Sequence, residues 1–342
     1  MTDTVDLGRA AQLIQAAGPH TNDTVIEDIF SMVYAIVAWS LPKSGLRLRE
    51  AALQTYVEKR MAAYVEQSPA AAKRAFVPPA GWSHAANLMA GTVPLERLVN
   101  PRGTSDRTVL QIHGGGFIIP LHNVYRARAV LQTTLVNARE AYMVHYRLAP
   151  EHPYPAGLDD VFSAYQYLLS KGKNPQDIIV FGDSAGGNLA LALSLKLKEA
   201  GLPQPGLLVL ISPWTTMEND APFRSKNAPK DLILGEGNAN LFHEINYPTY
   251  VPGGMDAKDP RVSPVYGDLT GLPPMLIQAG GYELLVDDAL QLAAKAASDG
   301  VQATLSIYPG MPHAFAMHLP ELQESIDSYA EIRDWVNVWL RR

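Results

Sequence analysis

Short apolar runs alternate with helix-like stretches through most of the chain, and this alternation limits the possible folds more than any other feature. Six runs have the character of buried strands: Thr108–His113, Ala141–Tyr146, Asp177–Phe181, Leu207–Ile211, Met275–Ala279 and Ala303–Tyr308. Helical stretches such as Asp160–Leu169 and Ala185–Ala200 separate some of them. Near-continuous apolar strands separated by helices are typical of a mostly parallel sheet with both faces covered. We therefore predict an α/β fold built on a mostly parallel central sheet.

Two segments fall outside this alternation. Residues 1–66 show helical spacing of apolar side chains and precede a Pro/Ala-rich stretch. We therefore predict a helical cap segment over 1–66 and a core over 67–342. Residues 214–251 contain scattered polar residues and prolines, and we predict an insertion above the sheet that contributes to the cap.

The longest apolar run of the chain is Ile29–Leu41. It is too short to cross a bilayer, which takes about 20 residues, so we interpret it as a buried or lid helix. Its large side chains, Met32, Tyr34 and Trp39, favour a closed apolar pocket over a lipid–water interface. Small or medium soluble molecules would suit such a pocket better than long-chain lipids.

Composition excludes several kinds of chemistry. The chain has no cysteine, which rules out disulfides, thiolate metal sites and a cysteine nucleophile. A net charge of −6 without basic runs argues against nucleic acid or an anionic membrane as partner. Neither H-E-x-x-H nor a P-loop pattern is present, so we expect no metal and no cofactor. The acidic start lacks the pattern of a signal peptide, which makes the cytoplasm the expected compartment.

The strongest chemical signal is the G-x-S-x-G pattern of Gly182–Gly187, which lies between an apolar run and a helical stretch. In that context the pattern predicts a nucleophile elbow, a sharp strand-to-helix turn that exposes the serine hydroxyl. Ser184 is therefore the predicted nucleophile.

A serine nucleophile needs a base, and in an elbow fold the acid and then the histidine follow the serine along the chain. Only His243, His313 and His318 follow Ser184. His313 lies in a loop directly after the last predicted strand and is the predicted base. A surface or packing role is the interpretation for the other two.

The acid should follow the preceding strand, where Glu283 lies in the loop and Asp287 and Asp288 mark the start of the next helix. We choose Glu283 and keep Asp287 as the alternative, because acidic residues at a helix start commonly cap it or interact with its dipole.

Three successive glycines follow another strand in the run His113–Phe117. Such glycines expose backbone N–H groups where no side chain blocks approach, which is what an oxyanion hole needs. The N–H of Ala185 can supply a further donor.

Three motifs together resemble the hormone-sensitive-lipase-like esterases of the α/β-hydrolase fold: HGGGF at 113–117, YRLAPEHPYPA at 146–156 and GDSAGG at 182–187. The resemblance covers residues 85 to 318 or thereabouts. It implies a helical N-terminal cap, and it makes Gly115 and Gly116 the oxyanion donors. The family's acid usually stands in an Asp-Pro-Leu-x-Asp run, where this chain has Glu283-Leu-Leu-Val-Asp287.

Other residues receive supporting interpretations. Arg147, Glu151 and Asp160 belong to the resembling motifs or lie close to them, and we interpret them as a polar network that supports the fold. Trp214 could line an acyl pocket, although a single tryptophan is more often part of a core.

These residues predict a carboxylic ester hydrolase with a small-molecule ester as its partner. A lactonase or an amidase would use the same residues, because fold and triad do not choose among them. The other class is a non-catalytic small-molecule receptor on the same fold, and the presence of His313 argues against it. A homodimer remains open.

Overall fold

The computed structural model describes residues 33, 41–42, 44–48, 51–60, 75–219 and 222–340. The strands in this part of the chain are β1 Ser83–Ala90, β2 Val93–Val99, β3 Ser105–Ile112, β4 Ala138–Val144, β5 Ile178–Asp183, β6 Leu207–Ile211, β7 Met275–Gly280 and β8 Ala303–Tyr308. They form one sheet in the order β1-β2-β4-β3-β5-β6-β7-β8.

Most of the sheet is parallel, as predicted. Strand β3 pairs in parallel with β4 and β5, and β5 through β8 continue in parallel. Strands β5, β6 and β7 are buried along their whole length, which explains why their sequences read as continuous apolar runs. The functional residues predicted above follow the carboxyl ends of β3, β5, β7 and β8, so they meet at one edge of the sheet.

Helices connect the strands and pack on the sheet. They are α1 Asn123–Leu135, α2 Ala156–Ser170, α3 Ala185–Glu199, α4 Pro222–Asn227, α5 Ala239–Asn246, α6 Val286–Ser298, α7 Phe315–His318 and α8 Gln323–Trp339. Helix α1 packs on β3 and β4, α3 on β5 and β6, and α6 on β7 and β8. Within the described ranges, no helix has the length and apolar character needed to cross a membrane.

The antiparallel pair β1–β2 extends the sheet beyond the strands that the sequence analysis identified. Strand β1 reads SHAANLMA and is mostly exposed, so it lacks both the apolar run and the strand-forming residues of the inner strands. Tertiary contacts hold it in place, since β2 pairs with β4 on its other side. Helix α1 was also absent from the sequence prediction.

The cap prediction lies partly outside the described residues. Most of Ile29–Leu41, including Met32, Tyr34 and Trp39, is in that undescribed portion, although Val33 is helical and buried. Residues 51–60 are helical, and Leu46 pairs with Leu322 at the start of the C-terminal helix. The division at residue 66 remains a prediction. The insertion 214–251 contains α4 and α5.

Candidate active site

Ser184 stands between β5 and α3 in a strained backbone conformation, with φ 54° and ψ −122°. The chain can turn this sharply only because glycines flank the serine. A Cβ on Gly182 would lie 2.4 Å from the carbonyl oxygen of Gly186, and a Cβ on Gly186 would lie 2.1 Å from that of Ile112. Each contact is too short for a side chain, so both positions require glycine.

The backbone of Ser184 is held on both sides. Its N–H donates to the carbonyl oxygen of Ile211 at 3.0 Å, and its own carbonyl accepts from the N–H groups of Gly187 and Trp214. Its hydroxyl makes no hydrogen bond to the described residues. The serine is therefore rigid in its backbone and free at its reactive atom.

A cavity of about 110 Å³ opens above the serine. Its described lining residues are Gly115, Gly116, Ile119, His122, Tyr125, Asp183, Ser184, Ile233, Leu234, Asn238, Leu241, Glu244, Ile245, His313, Met317 and His318. Ser184, His313 and the glycine loop thus face one space. Several apolar walls come from the 214–251 insertion.

The glycine loop is packed rather than flexible. Gly115 and Gly116 have φ values of 96° and 62°, a region that favours glycine. The hydroxyl of Tyr146 donates to the carbonyl oxygen of His113 at 2.8 Å, and the two rings stack with centroids 4.2 Å apart. Ala185 opens helix α3 next to the serine. The predicted oxyanion donors therefore lie on a fixed backbone around Ser184.

His313 follows β8 and is buried in the cavity wall. Its Nδ1 lies 3.9 Å from Oε2 of Glu283, which is longer than a hydrogen bond. Nδ1 has no hydrogen-bond partner among the described residues. Burial lowers the pKa of His313 to about 3, and the charges of His318 and Arg128 act in the same direction. The imidazole is therefore neutral near pH 7 and able to accept a proton.

Glu283 is fully buried beside His313. Its Oε2 accepts hydrogen bonds from Ser212 Oγ at 2.6 Å and from the N–H of Gly280 at 2.9 Å, whereas Oε1 has no partner in the described ranges. Burial raises the pKa of Glu283 well above its usual value, although these two hydrogen bonds act in the opposite direction. Asp231 and Asp288 add negative charge nearby, which also raises this pKa.

The alternative acid, Asp287, is half-buried in the first turn of α6. The capping role predicted for Asp287 and Asp288 is wrong, although both lie in the first turn of α6, where negative charge interacts favourably with the helix dipole. Helix α6 begins one residue earlier than predicted, its N-cap is Leu285, and no side chain caps it. Instead Oδ1 of Asp288 accepts from the N–H groups of Thr215 and Thr216, and Oδ2 pairs with Arg224 at 3.2 Å.

Asp231 is a buried carboxylate that sequence reasoning missed. Its Oδ2 accepts a hydrogen bond at 2.8 Å from the N–H of Leu284, the residue that follows Glu283. Its Oδ1 accepts a hydrogen bond at 3.4 Å from the N–H of His313. Burial raises its pKa to about 6. Asp231 thus joins the loops of Glu283 and His313 from within the insertion.

Ser212 makes a second link between these loops. Its Oγ donates to Glu283 and accepts from the N–H of Ala314 at 3.0 Å, one residue after His313. Its position directly after β6 is a signal that could have drawn attention to it, since strand ends on this edge carry the other site residues.

His243 and His318, the two other histidines that follow Ser184 in the chain, differ in burial. His318 is buried in the cavity wall, and burial lowers its pKa to about 3. His243 is exposed on α5. Trp214 is completely buried, with its ring 5.5 Å from that of Phe117, as a core residue would be.

The polar residues near the second motif lie outside the cavity lining described above. The guanidinium of Arg147 forms a bidentate ion pair with Asp160, and the N–H of Arg147 donates to the same carboxylate at 2.8 Å. Glu151 is exposed. This geometry fits a supporting role for Arg147 and Asp160. In the described part of the chain, no three His, Asp or Glu side chains are grouped so as to hold a metal ion.

Comparison with known proteins agrees with this architecture. Residues 109–317 match the α/β-hydrolase fold family. An esterase of Acinetobacter venetianus is 37% identical over 240 residues, which cover 68% of this chain and 76% of the relative. An acetyl-hydrolase of Streptomyces hygroscopicus is 36% identical over 228 residues, covering 66% of this chain and 74% of the relative.

Solved structures show the same likeness along more of the chain. The crystal structure of an esterase from the bacterial hormone-sensitive lipase family superposes with a TM-score of 0.72 at 28% identity, covering 94% of this chain and 100% of that one. A hormone-sensitive lipase homologue from a metagenome library has a TM-score of 0.71 at 32% identity, covering 92% and 98%. The chain therefore belongs to the hormone-sensitive-lipase-like esterase family of the α/β-hydrolase fold, a family of hydrolytic enzymes.

Proposed function

We propose that this protein is a serine carboxylic ester hydrolase that acts on small to medium soluble esters. The observation that carries the proposal is the convergence of Ser184, His313 and the glycine loop on one cavity. The relatives named esterase and acetyl-hydrolase support the same reaction type.

In the first half of the reaction, Oγ of Ser184 attacks the ester carbonyl while His313 takes the hydroxyl proton. The carbonyl oxygen becomes an oxyanion, and the N–H groups of Gly115, Gly116 and Ala185 stabilise it. His313 then donates its proton to the leaving alcohol, and Ser184 is left acylated. In the second half, His313 activates water, which releases the acid and restores the serine.

Glu283 orients the imidazole and stabilises the imidazolium. Nδ1 of His313 and Oε1 of Glu283 are both buried without a partner in the described residues, and each would be satisfied by a bond between the two side chains. Hydrogen bonds of this kind often tighten only when substrate is bound. We therefore propose that the 3.9 Å separation between Nδ1 of His313 and Oε2 of Glu283 shortens when substrate binds.

The cavity supports the proposed substrate size. Its volume of about 110 Å³ lies below the range of roughly 300–1,000 Å³ that is usual for small-molecule sites, which favours short esters over long ones. Its apolar side chains include Ile233, Leu234 and Leu241 of the insertion. We assign this insertion, together with residues 1–66, to a cap over the site.

The test is a chain-length series of chromogenic esters, together with lactones and amides. We expect hydrolysis of short and medium acyl esters, with a decline for long chains. A fluorophosphonate should label Ser184 and no other serine, as mapped by mass spectrometry. Preferred hydrolysis of a lactone or an amide would favour the alternative reactions of the same residues. Binding without turnover of any ester would favour a receptor.

A further inference from the structure

Glu244 lines the cavity beside the glycine loop and has no part in the proposed reaction. It lies on α5 and is only 5% exposed. Its Cγ is 3.5 Å from the position that a Cβ on Gly116 would occupy, so it stands next to an oxyanion donor. Placing a carboxylate in such a wall costs free energy unless it is compensated.

Only one of its oxygens is engaged by the protein. Oε1 accepts hydrogen bonds from the N–H and the hydroxyl of Thr249, at 2.7 and 2.8 Å, and these favour the charged form. Burial acts in the opposite direction and raises the pKa of Glu244 above its usual value. In the described ranges, Oε2 accepts no hydrogen bond and no Lys or Arg pairs with Glu244. Its free oxygen remains available to a ligand.

The other polar groups of the wall do not neutralise this charge. Burial lowers the pKa of His122 to about 4 and that of His318 to about 3, so both rings are neutral near pH 7. The carboxylate of Asp183 accepts hydrogen bonds from the N–H of Gly114 and the hydroxyl of Tyr125. The described lining contains no Lys or Arg. The buried Arg128 lies outside this lining and lowers the pKa values of Asp183, His313 and His318. The wall beside Gly116 carries the negative charge of Glu244.

We propose that Glu244 is a specificity-determining residue that favours esters carrying a positively charged substituent and disfavours those carrying a negative one. The inference rests on the proposed esterase function and names the substrate class for the same cavity. The exposed His243 next to Glu244 on α5 lowers the pKa of this carboxyl, but in the described residues no Lys or Arg pairs with it. A cationic group near Gly116 would therefore gain the attraction of this carboxylate in a partly desolvated site. An anionic group in the same place would be repelled.

Two pairs of esters with nearly equal shapes test the charge alone. Acetylcholine and 3,3-dimethylbutyl acetate differ by a charge on the alcohol part. Methyl 4-aminobutyrate and methyl pentanoate differ by a charge on the acyl part. A pH-stat gives kcat/KM for all four with the wild type, Glu244→Gln and the control Glu236→Gln. Glu236 is an exposed acid of the same insertion.

We expect Glu244→Gln to lower the cation-to-neutral ratio of kcat/KM about tenfold in at least one pair, with the control unchanged. The pair that responds tells whether Glu244 faces the acyl or the alcohol part. A ratio within twofold of the wild type in both pairs overturns the proposal and leaves Glu244 a structural partner of Thr249. If wild type hydrolyses none of the neutral esters, the proposed function itself fails.

A measurement on the wild type alone covers the case in which the variant does not fold. Choline and 3,3-dimethylbutanol are compared as competitive inhibitors of neutral ester hydrolysis, and 4-aminobutyrate methyl amide is compared with pentanoate methyl amide. We expect the cation of at least one pair to inhibit more strongly. Equal or weaker inhibition by both cations contradicts the proposal.

Discussion

The cavity has two sides, which we name after their proposed roles. The nucleophile side is confined to the six consecutive residues 182–187 and the glycine loop against them, whereas the acid–base side draws on Ser212, Asp231, Glu283 and His313. On the nucleophile side, the backbone approaches the glycines so closely that a Cβ on Gly186 would lie only 2.1 Å from a neighbouring carbonyl oxygen. The backbone N–H and carbonyl groups of Ser184 are both hydrogen-bonded. On the acid–base side, side chains from distant segments hold the loops, and two buried polar atoms lack partners within the described residues.

This difference shows two ways of positioning reactive groups. On the nucleophile side, close backbone packing around the glycines fixes the position of Ser184. A side chain added to one of these glycines should therefore disrupt the local fold. On the acid–base side, hydrogen bonds between distant segments hold the loops in place. Substitutions that remove these hydrogen bonds should therefore lower kcat before they lower stability. Substitutions on each side can separate these two behaviours.

Ser184→Ala should have the largest effect. Losing a triad serine typically lowers kcat on the order of 10⁶-fold. Because the hydroxyl makes no hydrogen bond to the described residues, the midpoint of thermal unfolding should stay nearly constant. Kinetics on a short chromogenic ester and a thermal melt check both. A residual kcat within about tenfold of wild type would contradict the assignment.

Glu283→Gln and Asp287→Asn distinguish the two candidate acids. A triad whose acid is neutralised loses about 10⁴ in kcat, because the imidazole is held in the wrong tautomer. We expect this loss for Glu283→Gln, while Asp287→Asn should keep most of the activity. If the second variant is the inactive one, the acid has been placed one helical turn too early.

Gly186→Ala tests the steric side of the comparison. The added Cβ would meet the carbonyl oxygen of Ile112 at 2.1 Å, so the backbone must move. We expect a loss of about 3 kcal/mol or more in the free energy of unfolding. Gly237→Ala is the matched control, because no atom of the described residues lies within 4 Å of its Cβ position. If the two variants have the same free energy of unfolding in urea, the elbow accommodates the added Cβ.

His318→Gln tests the titrating groups on the cavity wall. Burial lowers the pKa of His318 to about 3, so below about pH 6.5 the unfolded chain binds the proton that the folded chain excludes. This group's contribution to stability is therefore lost as the pH falls. Between pH 7 and pH 5 the variant should lose about 2 kcal/mol less stability than wild type.

Urea unfolding at the two pH values measures this difference. The exposed His243 offers the control substitution His243→Gln. Equal losses in wild type and His318→Gln would mean that His318 takes up its proton in the folded state as easily as in the unfolded chain.

Asp231→Asn should have the smallest effect of the series. Both carboxylate oxygens accept backbone N–H groups, and an amide can replace only one of them. We expect kcat to fall about tenfold, about 1.4 kcal/mol, with KM little changed, because the loops of Glu283 and His313 shift while the cavity keeps its walls. The exposed Asp256→Asn is the control. A changed KM with constant kcat would instead assign Asp231 to substrate binding.

The contrast between the two sides also explains what could be predicted from the sequence. The inner strands and the GDSAGG elbow are local patterns, and the structure places them where they were predicted. Strand β1 lacks such a pattern because pairing with β2, rather than its own composition, makes it a strand. Asp231 acts through partners far away in the chain, so no local motif marks it. Ser212 also has distant partners, and its position at the end of β6 is the one local signal for it.

Glu283 lies between these cases. Its position after β7 was predictable from the order of the strands. Its hydrogen bond to Ser212 and its full burial were not predictable, because they depend on segments that are distant in the sequence and meet only in the fold. Glu244 likewise lies on a short helix of the insertion, for which the sequence predicted no regular structure.

The bonds of Asp231 have a consequence for exchanging parts between relatives. The segment that forms the cavity's apolar wall also carries the carboxylate that joins the Glu283 and His313 loops. Grafting the wall of one relative onto the body of another would therefore replace the residue that we propose positions the Glu283 and His313 loops together with the residues that we propose select the substrate. Chimeras that retain Asp231 and its local turn should acquire the donor's substrate range with kcat close to that of the parent. Chimeras that replace Asp231 or its turn should have a low kcat for every substrate.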